Sequence, residues 1–141
     1  MPMNILKWLL LAAVLIQFVP FGHDHSNPPV TKEPPWNSPE TRELFHRACF
    51  DCHSNQTGWR WYSYVAPASW LVARDVNQGR RHLNFSEWDH PQKHADHVVE
   101  EVKNGEMPLW YYLPLHSSAK LSDAEKHALM LAAEESLGPQ K

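Results

Sequence analysis

The chain has 141 residues and a mass of 16.4 kDa, the size of one domain rather than two. Its net charge of -3 and pI near 6.3 give no basis for a nucleic-acid partner, and its two cysteines exclude a disulfide-stapled framework. Twelve prolines, seven tryptophans and ten histidines point instead to long non-repetitive segments around a pocket for something flat, metallic or both.

Residues 5–21 read ILKWLLLAAVLIQFVPF, with Lys7 as their single charge. Taking in Gln17 to Phe21 and letting Lys7 snorkel brings the apolar stretch to about 17 residues, the lower limit for a transmembrane helix. The positive start places the N-terminus on the cytoplasmic side, so the rest of the chain is expected on the periplasmic side. The run ends in Phe18-Val19-Pro20-Phe21-Gly22, which lacks the small-x-small site of a cleaved signal peptide. That favours an uncleaved signal anchor over residues 1–22. A core helix is disfavoured because no polar face interrupts the run at helical spacing.

Residues 23–37 are rich in proline and polar side chains and read as an extended linker or strap, with Trp36 to dock it. Its His23 and His25 form an H-x-H pair, read as solvated rather than metal-binding. The domain proper is expected over residues 38–138. Ser38, Pro39 and Glu40 supply a cap, a first-turn proline and an acid at the positive end of the helix dipole. They start a helix from Pro39 to about Cys49, with Leu44, Phe45 and Ala48 as its buried stripe.

Residues 54–58 read as a turn. The aromatic stretch from Trp59 to Pro67 reads as an irregular wrapping loop. A helix is expected from Ala68 to Gln78, with Gly79 as its stop. Another, capped by Ser86 or Asp89, continues through Gln92 to Lys103 and ends at Asn104-Gly105. Residues 106–114 are irregular. A capping box at Ser122 and Glu125 opens a last helix from Asp123 to about Leu137, stopped by Gly138. The expected fold is all-α with long loops, preceded by an N-terminal hydrophobic helix.

Both cysteines fall in Cys49-Phe50-Asp51-Cys52-His53, a C-x-x-C-H pattern. Two thiols at this spacing can add across the two vinyl groups of a haem, and the adjacent histidine then lies close to the iron as its proximal ligand. The rival readings are a local disulfide and a zinc site completed by a distant histidine pair. Export outside the cytoplasm and the position of the motif at the end of the first helix favour haem c. Cys49 and Cys52 are therefore the candidate covalent attachment points, and His53 the candidate iron ligand.

Met107, in Gly105-Glu106-Met107-Pro108, is the candidate distal ligand. Its thioether is soft, and the following proline restricts its backbone. His82, His94, His97 and His116 are its rivals; His46 shares the motif helix and is poorly placed. Trp59, Trp61, Tyr62, Tyr64, Trp70, Trp110, Tyr111 and Tyr112 are candidates to wall a haem. Arg74, Arg80 and Arg81 are candidate propionate partners, with at least two of them expected in solvent.

With these residues in hand, the chain resembles the bacterial haem-binding domain family, a group of small c-type cytochrome-like proteins. The resemblance is carried by Asn27-Pro28-Pro29-Val30, Pro34-Pro35-Trp36, Cys49 to Asn55, Trp59 to Pro67, Trp70-Leu71, Gly79-Arg80, Leu83 to Trp88 and Gly105 to Pro108. It covers nearly the whole chain. It implies covalent haem at Cys49 and Cys52, iron ligation by His53 and a cytochrome c-like fold, and it supports Met107 opposite. Leu109 departs from the pattern, standing where similar sequences often carry a second proline.

The leading expectation is an electron carrier without enzymatic activity. It would exchange electrons with redox partner proteins at the outer face of the cytoplasmic membrane, or in the periplasm if the leader is cleaved. The alternatives are a haem peroxidase and a redox or gas sensor, both of which need an open distal site. No Ser/His/Asp arrangement, phosphate loop or paired-carboxylate signature supports another enzyme class.

Overall fold

A computed structural model describes residues 3–138, and its two best-marked helices start where side chains cap them. Ser38 accepts a hydrogen bond from the Thr41 amide at 3.1 Å. Ser122 accepts from the Glu125 amide while the Glu125 carboxylate accepts from the Ser122 amide, a complete capping box. The described residues form five α-helices: α1 (Met3–Leu15), α2 (Pro39–His53), α3 (Ala68–His82), α4 (Val98–Asn104) and α5 (Asp123–Ser136). Short 3-10 turns link them, and no strand forms among these residues beyond an isolated bridge between Lys32 and Glu87. The all-α expectation holds.

The core is aromatic at its centre and aliphatic at its edge. Phe45 and Phe50 of α2 meet Phe85 and Trp88 of the α3–α4 connection. The Phe50 and Phe85 rings stack at 5.6 Å, and those of Phe85 and Trp88 at 6.1 Å. Val98, Val102, Leu129, Ala132 and Ala133 close the cluster from α4 and α5. Arg47 pairs with Glu125 and donates to the Ser118 carbonyl, which ties α2 to the start of α5.

Four segments differ from their sequence reading, each for a local reason. First, α1 has 13 residues and passes into one 3-10 turn at Ile16–Phe18. Pro20 forces the preceding residue into extended backbone, and Val19 sits at φ -70°, ψ 121°. Among the described residues no helix is long and apolar enough to cross a membrane. Second, α2 continues to His53, so the C-x-x-C-H motif forms its last turns rather than following it. Third, Gly79 lies inside α3, which runs on to His82. Fourth, the helix expected to continue through Gln92 is only the seven-residue α4. Pro91 breaks the pattern there, and Gln92 serves loose backbone instead: it accepts from the Asn84 amide and donates to the Glu87 carbonyl, at 2.9 and 2.8 Å. Gly105 at φ 74° closes α4 in the left-handed conformation.

The strap of residues 23–37 is part of the fold rather than a free tether. Thr31 and Lys32 amides donate to the Ser86 carbonyl, and the Trp88 amide donates to the Lys32 carbonyl. Trp36 packs on Phe45, Phe85 and Phe50, so the docking role expected of it is met. His25 is docked as well: its Nε2 lies 2.7 Å from the Ser63 carbonyl oxygen, and its ring packs on Trp59 and Tyr64. The solvated reading therefore fails for that histidine.

Glu33 holds the strap to α2. Its carboxylate accepts two bonds from the Arg42 guanidinium at 2.7 Å, one from Trp36 Nε1 at 2.8 Å and one from Gln56 at 3.3 Å. The Arg42 bonds hold Glu33 below its ordinary 4.5. A depressed carboxylate contributes stability that is present above the ordinary value and is lost as pH falls through the folded one. Glu33→Gln should cost about 1 kcal/mol at neutral pH, because Arg42 is partly exposed and screened. It should also flatten the fall in stability below about pH 4.5. Urea melts of both proteins across pH 3 to 7 (about that range) check this; equal slopes with pH would remove Glu33 as the anchor.

Candidate functional site

One cavity of about 430 Å³ lies against the last turns of α2 and is lined from α3, α4 and the chain after α4. This volume is ordinary for a small-molecule or cofactor site. Cys49, Cys52, His53 and Met107 all line it, so residues far apart in the chain meet around one space. Leu83, Phe85, Val98, Val102 and Leu109 add apolar wall, while Arg74, Gln78, His82, His94, His97 and Glu101 bring polar groups.

The motif turn is placed by contact with α3. A Cβ on Gly79 would stand 2.4 Å from the Cys52 carbonyl oxygen, so only glycine permits this approach. The same approach orients His53. Its Nδ1 lies 3.1 Å from both the Gly79 and the Leu83 carbonyl oxygens. Two acceptors at one nitrogen place the proton on Nδ1 and leave the Nε2 lone pair free, the tautomer an iron ligand needs. Burial lowers the His53 pKa, against the two carbonyl contacts, which raise it. The ring is thus neutral at neutral pH.

The residues after the motif lock the turn from the other side. The Phe85 amide donates to the His53 carbonyl at 2.8 Å, and Arg80 Nε to the Ser54 carbonyl at 2.8 Å. Buried Asn55 donates to the Pro29 carbonyl and to Glu87, and accepts from Asn84. Asp51, inside the motif, accepts from the Gly58 amide at 2.8 Å and from the Tyr112 hydroxyl at 2.7 Å. Burial first, and then Asp51, pushes the Tyr112 pKa up, so that hydroxyl stays a donor.

Both cysteines are free thiols. Burial pushes each up to about 12, helped at Cys52 by Asp75 and Asp51. They are neutral S–H groups, unlike the activated thiolate of a thiol–disulfide exchange site. Among the described residues no group of three or more His, Cys, Asp or Glu side chains is placed to hold a metal ion.

Met107 is held by backbone. The amides of Glu106 and Met107 both donate to the Glu101 carbonyl, at 2.9 and 3.2 Å, after the left-handed turn at Gly105. His82, His94 and His97 share the cavity and pack on one another, with ring centroids 5.1 and 5.3 Å apart. His116 does not line it. His116 Nδ1 donates to the Tyr112 carbonyl, its Nε2 accepts from the Tyr62 hydroxyl, and its ring stacks on Tyr112 at 3.7 Å.

The aromatic wall is narrower than the sequence suggests. Tyr111 and Tyr112 line the cavity; Trp59, Trp61, Tyr62, Tyr64, Trp70 and Trp110 do not. Of the arginines, Arg74 reaches the cavity and is held by Asp75 and Tyr111. Arg80 is structural: besides Ser54 it bonds Ser26, Asn27 and Thr57. Arg81 is exposed. Sequence reasoning missed Asp75, Leu83 and Phe85 as lining residues and Gly79 as the spacer. Only the nearness of Gly79 to Arg80, Leu83 and Phe85 in the sequence hinted at their joint role.

An all-helical domain with an imidazole, a thioether and two thiols converging on one largely apolar cavity has the donor set of a haem protein. The haem-binding domain family model matches residues 11–135, and the chain belongs to that family. No curated protein and no solved structure matches it.

Gly79→Ala should drive a methyl group into the Cys52 carbonyl and cost about 1–3 kcal/mol, the usual range for overpacking. Haem content per chain should fall with it. Gly105→Ala, where nothing lies within 4 Å of the added carbon, should lose stability through backbone strain alone and keep its haem. Thermal melts with haem-to-protein absorbance ratios compare the two; full haem content in Gly79→Ala would show that the close approach does not shape the site.

Proposed function

We propose that the protein binds one haem c covalently through Cys49 and Cys52 and works as an electron carrier, not as an enzyme. It would do so at the periplasmic face of the cytoplasmic membrane, with α1 as its attachment. The observation that carries this reading is the convergence of Cys49, Cys52, His53 and Met107 on one cavity, with the His53 tautomer set by Gly79 and Leu83.

Cys49 and Cys52 would hold the haem through thioether bonds to its two vinyl groups, an addition of S–H that would consume no oxidant. His53 would hold the iron through Nε2 while Nδ1 stays bonded to the Gly79 and Leu83 carbonyls. Met107, which lines the same cavity from the chain after α4, would offer its sulfur as the second protein ligand. When bound, haem supplies a one-electron couple whose potential a thioether ligand raises. A half-open, largely apolar cavity would suit outer-sphere transfer to redox partner proteins.

A second reading has one observation in its favour. His82, His94, His97 and Arg74 stand on the same cavity as Met107. They are the polar groups that a peroxidase, or a gas or redox sensor with an open distal position, would use.

Expression in a host competent for haem attachment should give an intact mass raised by one haem and a c-type pyridine haemochrome spectrum. Cys49→Ala with Cys52→Ala should return the bare polypeptide mass. Met107→Ala should remove the sulfur-to-iron charge-transfer band of the oxidised protein and lower its potential. Immediate, complete carbon monoxide binding by the reduced wild-type protein would instead select the open-site reading.

A further inference from the structure

We propose that the edge of the domain formed by Trp61, Tyr64 and Val65 is a lipid-contacting surface that rests at headgroup level beside the exit of α1. This deepens the membrane attachment proposed above and rests on it.

The end of the N-terminal helical segment is fixed to this edge. Gln17 Nε2 donates to the Ala66 carbonyl at 3.1 Å, and Gln17 Oε1 accepts from the Ala66 amide at 2.9 Å. Five residues on, Gly22 at φ 82° passes over α3 so closely that a Cβ there would meet the Ser69 carbonyl oxygen at 2.8 Å. His25 then packs on Tyr64, with ring centroids 4.1 Å apart. From Gln17 to His25 the chain therefore follows the segment that carries Trp61, Tyr64 and Val65.

Those three side chains are 76%, 58% and 46% exposed, although a tryptophan and a valine gain from leaving water. Phe18 and Phe21, on the chain beside them, are 78% and 51% exposed. The surface thus continues the apolar surface of α1, none of whose residues is buried. Residues 59–67 carry one charge, the exposed Arg60, and no acid. A tryptophan and a tyrosine beside a cation are the side chains that settle at a membrane interface, with rings among the acyl ends and polar tips at the headgroups.

Length argues the same way. The α-helical residues of α1 and the 3-10 turn rise about 26 Å, short of a hydrocarbon core of about 30 Å. A short segment is accommodated in part by local thinning of the bilayer, which brings its flanking residues to the interface. The residues so drawn are Phe18, Phe21 and, through the Gln17 clamp, the Trp61 edge.

The test is lipid-borne carbene labelling of the full-length haem-loaded protein in phosphatidylglycerol–phosphatidylethanolamine vesicles, read by peptide mass spectrometry. Labelling of both α1 and residues 60–65 is expected, with residues 60–65 several-fold above the peptides of α5. Trp61→Ser with Tyr64→Ser should remove the second signal and leave the haem spectrum unchanged. Label on α1 without label on residues 60–65 would overturn this inference and leave the attachment standing. Label on residues 60–65 without α1 would overturn α1 as the attachment and with it the placement of this edge beside the exit of α1; label on neither would sink both. Persistence of the 60–65 signal in the double variant would also overturn the assignment to these side chains.

Discussion

The approach of α3 to the last turn of α2 is the constraint on which the site depends. With no side chain at Gly79, the α3 backbone comes against the Cys52 carbonyl, and two α3-end carbonyls come within reach of His53 Nδ1. One missing Cβ thus sets the position of the second thiol and the tautomer of the histidine together. A larger residue would separate the helices and break both. A histidine with a loose ring would lose rotamer freedom on meeting a metal; this ring has lost it already in folding.

The motif turn is held from three further directions, each through buried or half-buried polar groups that are satisfied in pairs. Asn55 joins the strap at Pro29 to the α3–α4 connection at Asn84 and Glu87. Arg80 spans α3, the motif turn and the strap. Asp51 joins the motif to Tyr112 across the cavity edge. Losing one partner of such a network leaves the other desolvated without a bond, which costs more than the bond itself contributes. This explains why a proline-rich segment with no helix or strand of its own is seated on the domain: its carbonyls complete the network around Cys52 and His53.

What could be read from the sequence was local. The caps at Ser38 and Ser122 and the stop at Gly105 are each decided by a few neighbouring residues, and each forms as its chemistry suggests. Met107 and the motif line one cavity, a long-range meeting that the neighbours of neither determine. Gly79 misled, because a glycine that ends a helix and a glycine that admits a neighbouring backbone look alike until the neighbour is known. The extent of α4 misled because Gln92 fits an amphipathic pattern while its amide group satisfies backbone elsewhere. The aromatic wall was overdrawn for the same reason: Trp61 and Tyr112 are equally apolar on paper, and only the fold separates the exposed one from the one facing the cavity.

The placement of the cavity links stability to function. α3 packs on α2, α4 packs on α5, and α2 also meets α5, while the cavity stands between the walls supplied by α3 and α4. A small domain has little apolar surface to spare, yet here Leu83, Phe85, Val98 and Val102, all members of the core cluster, also line the cavity. A flat apolar group in that space would complete the layer between them. A ligand that binds only the folded chain stabilises it in proportion to its occupancy. Thioether bonds at Cys49 and Cys52 would hold that occupancy at one through every opening of the domain. Attachment in this reading serves the fold as directly as it serves the redox chemistry, and the close contact at Gly79 is where both demands meet.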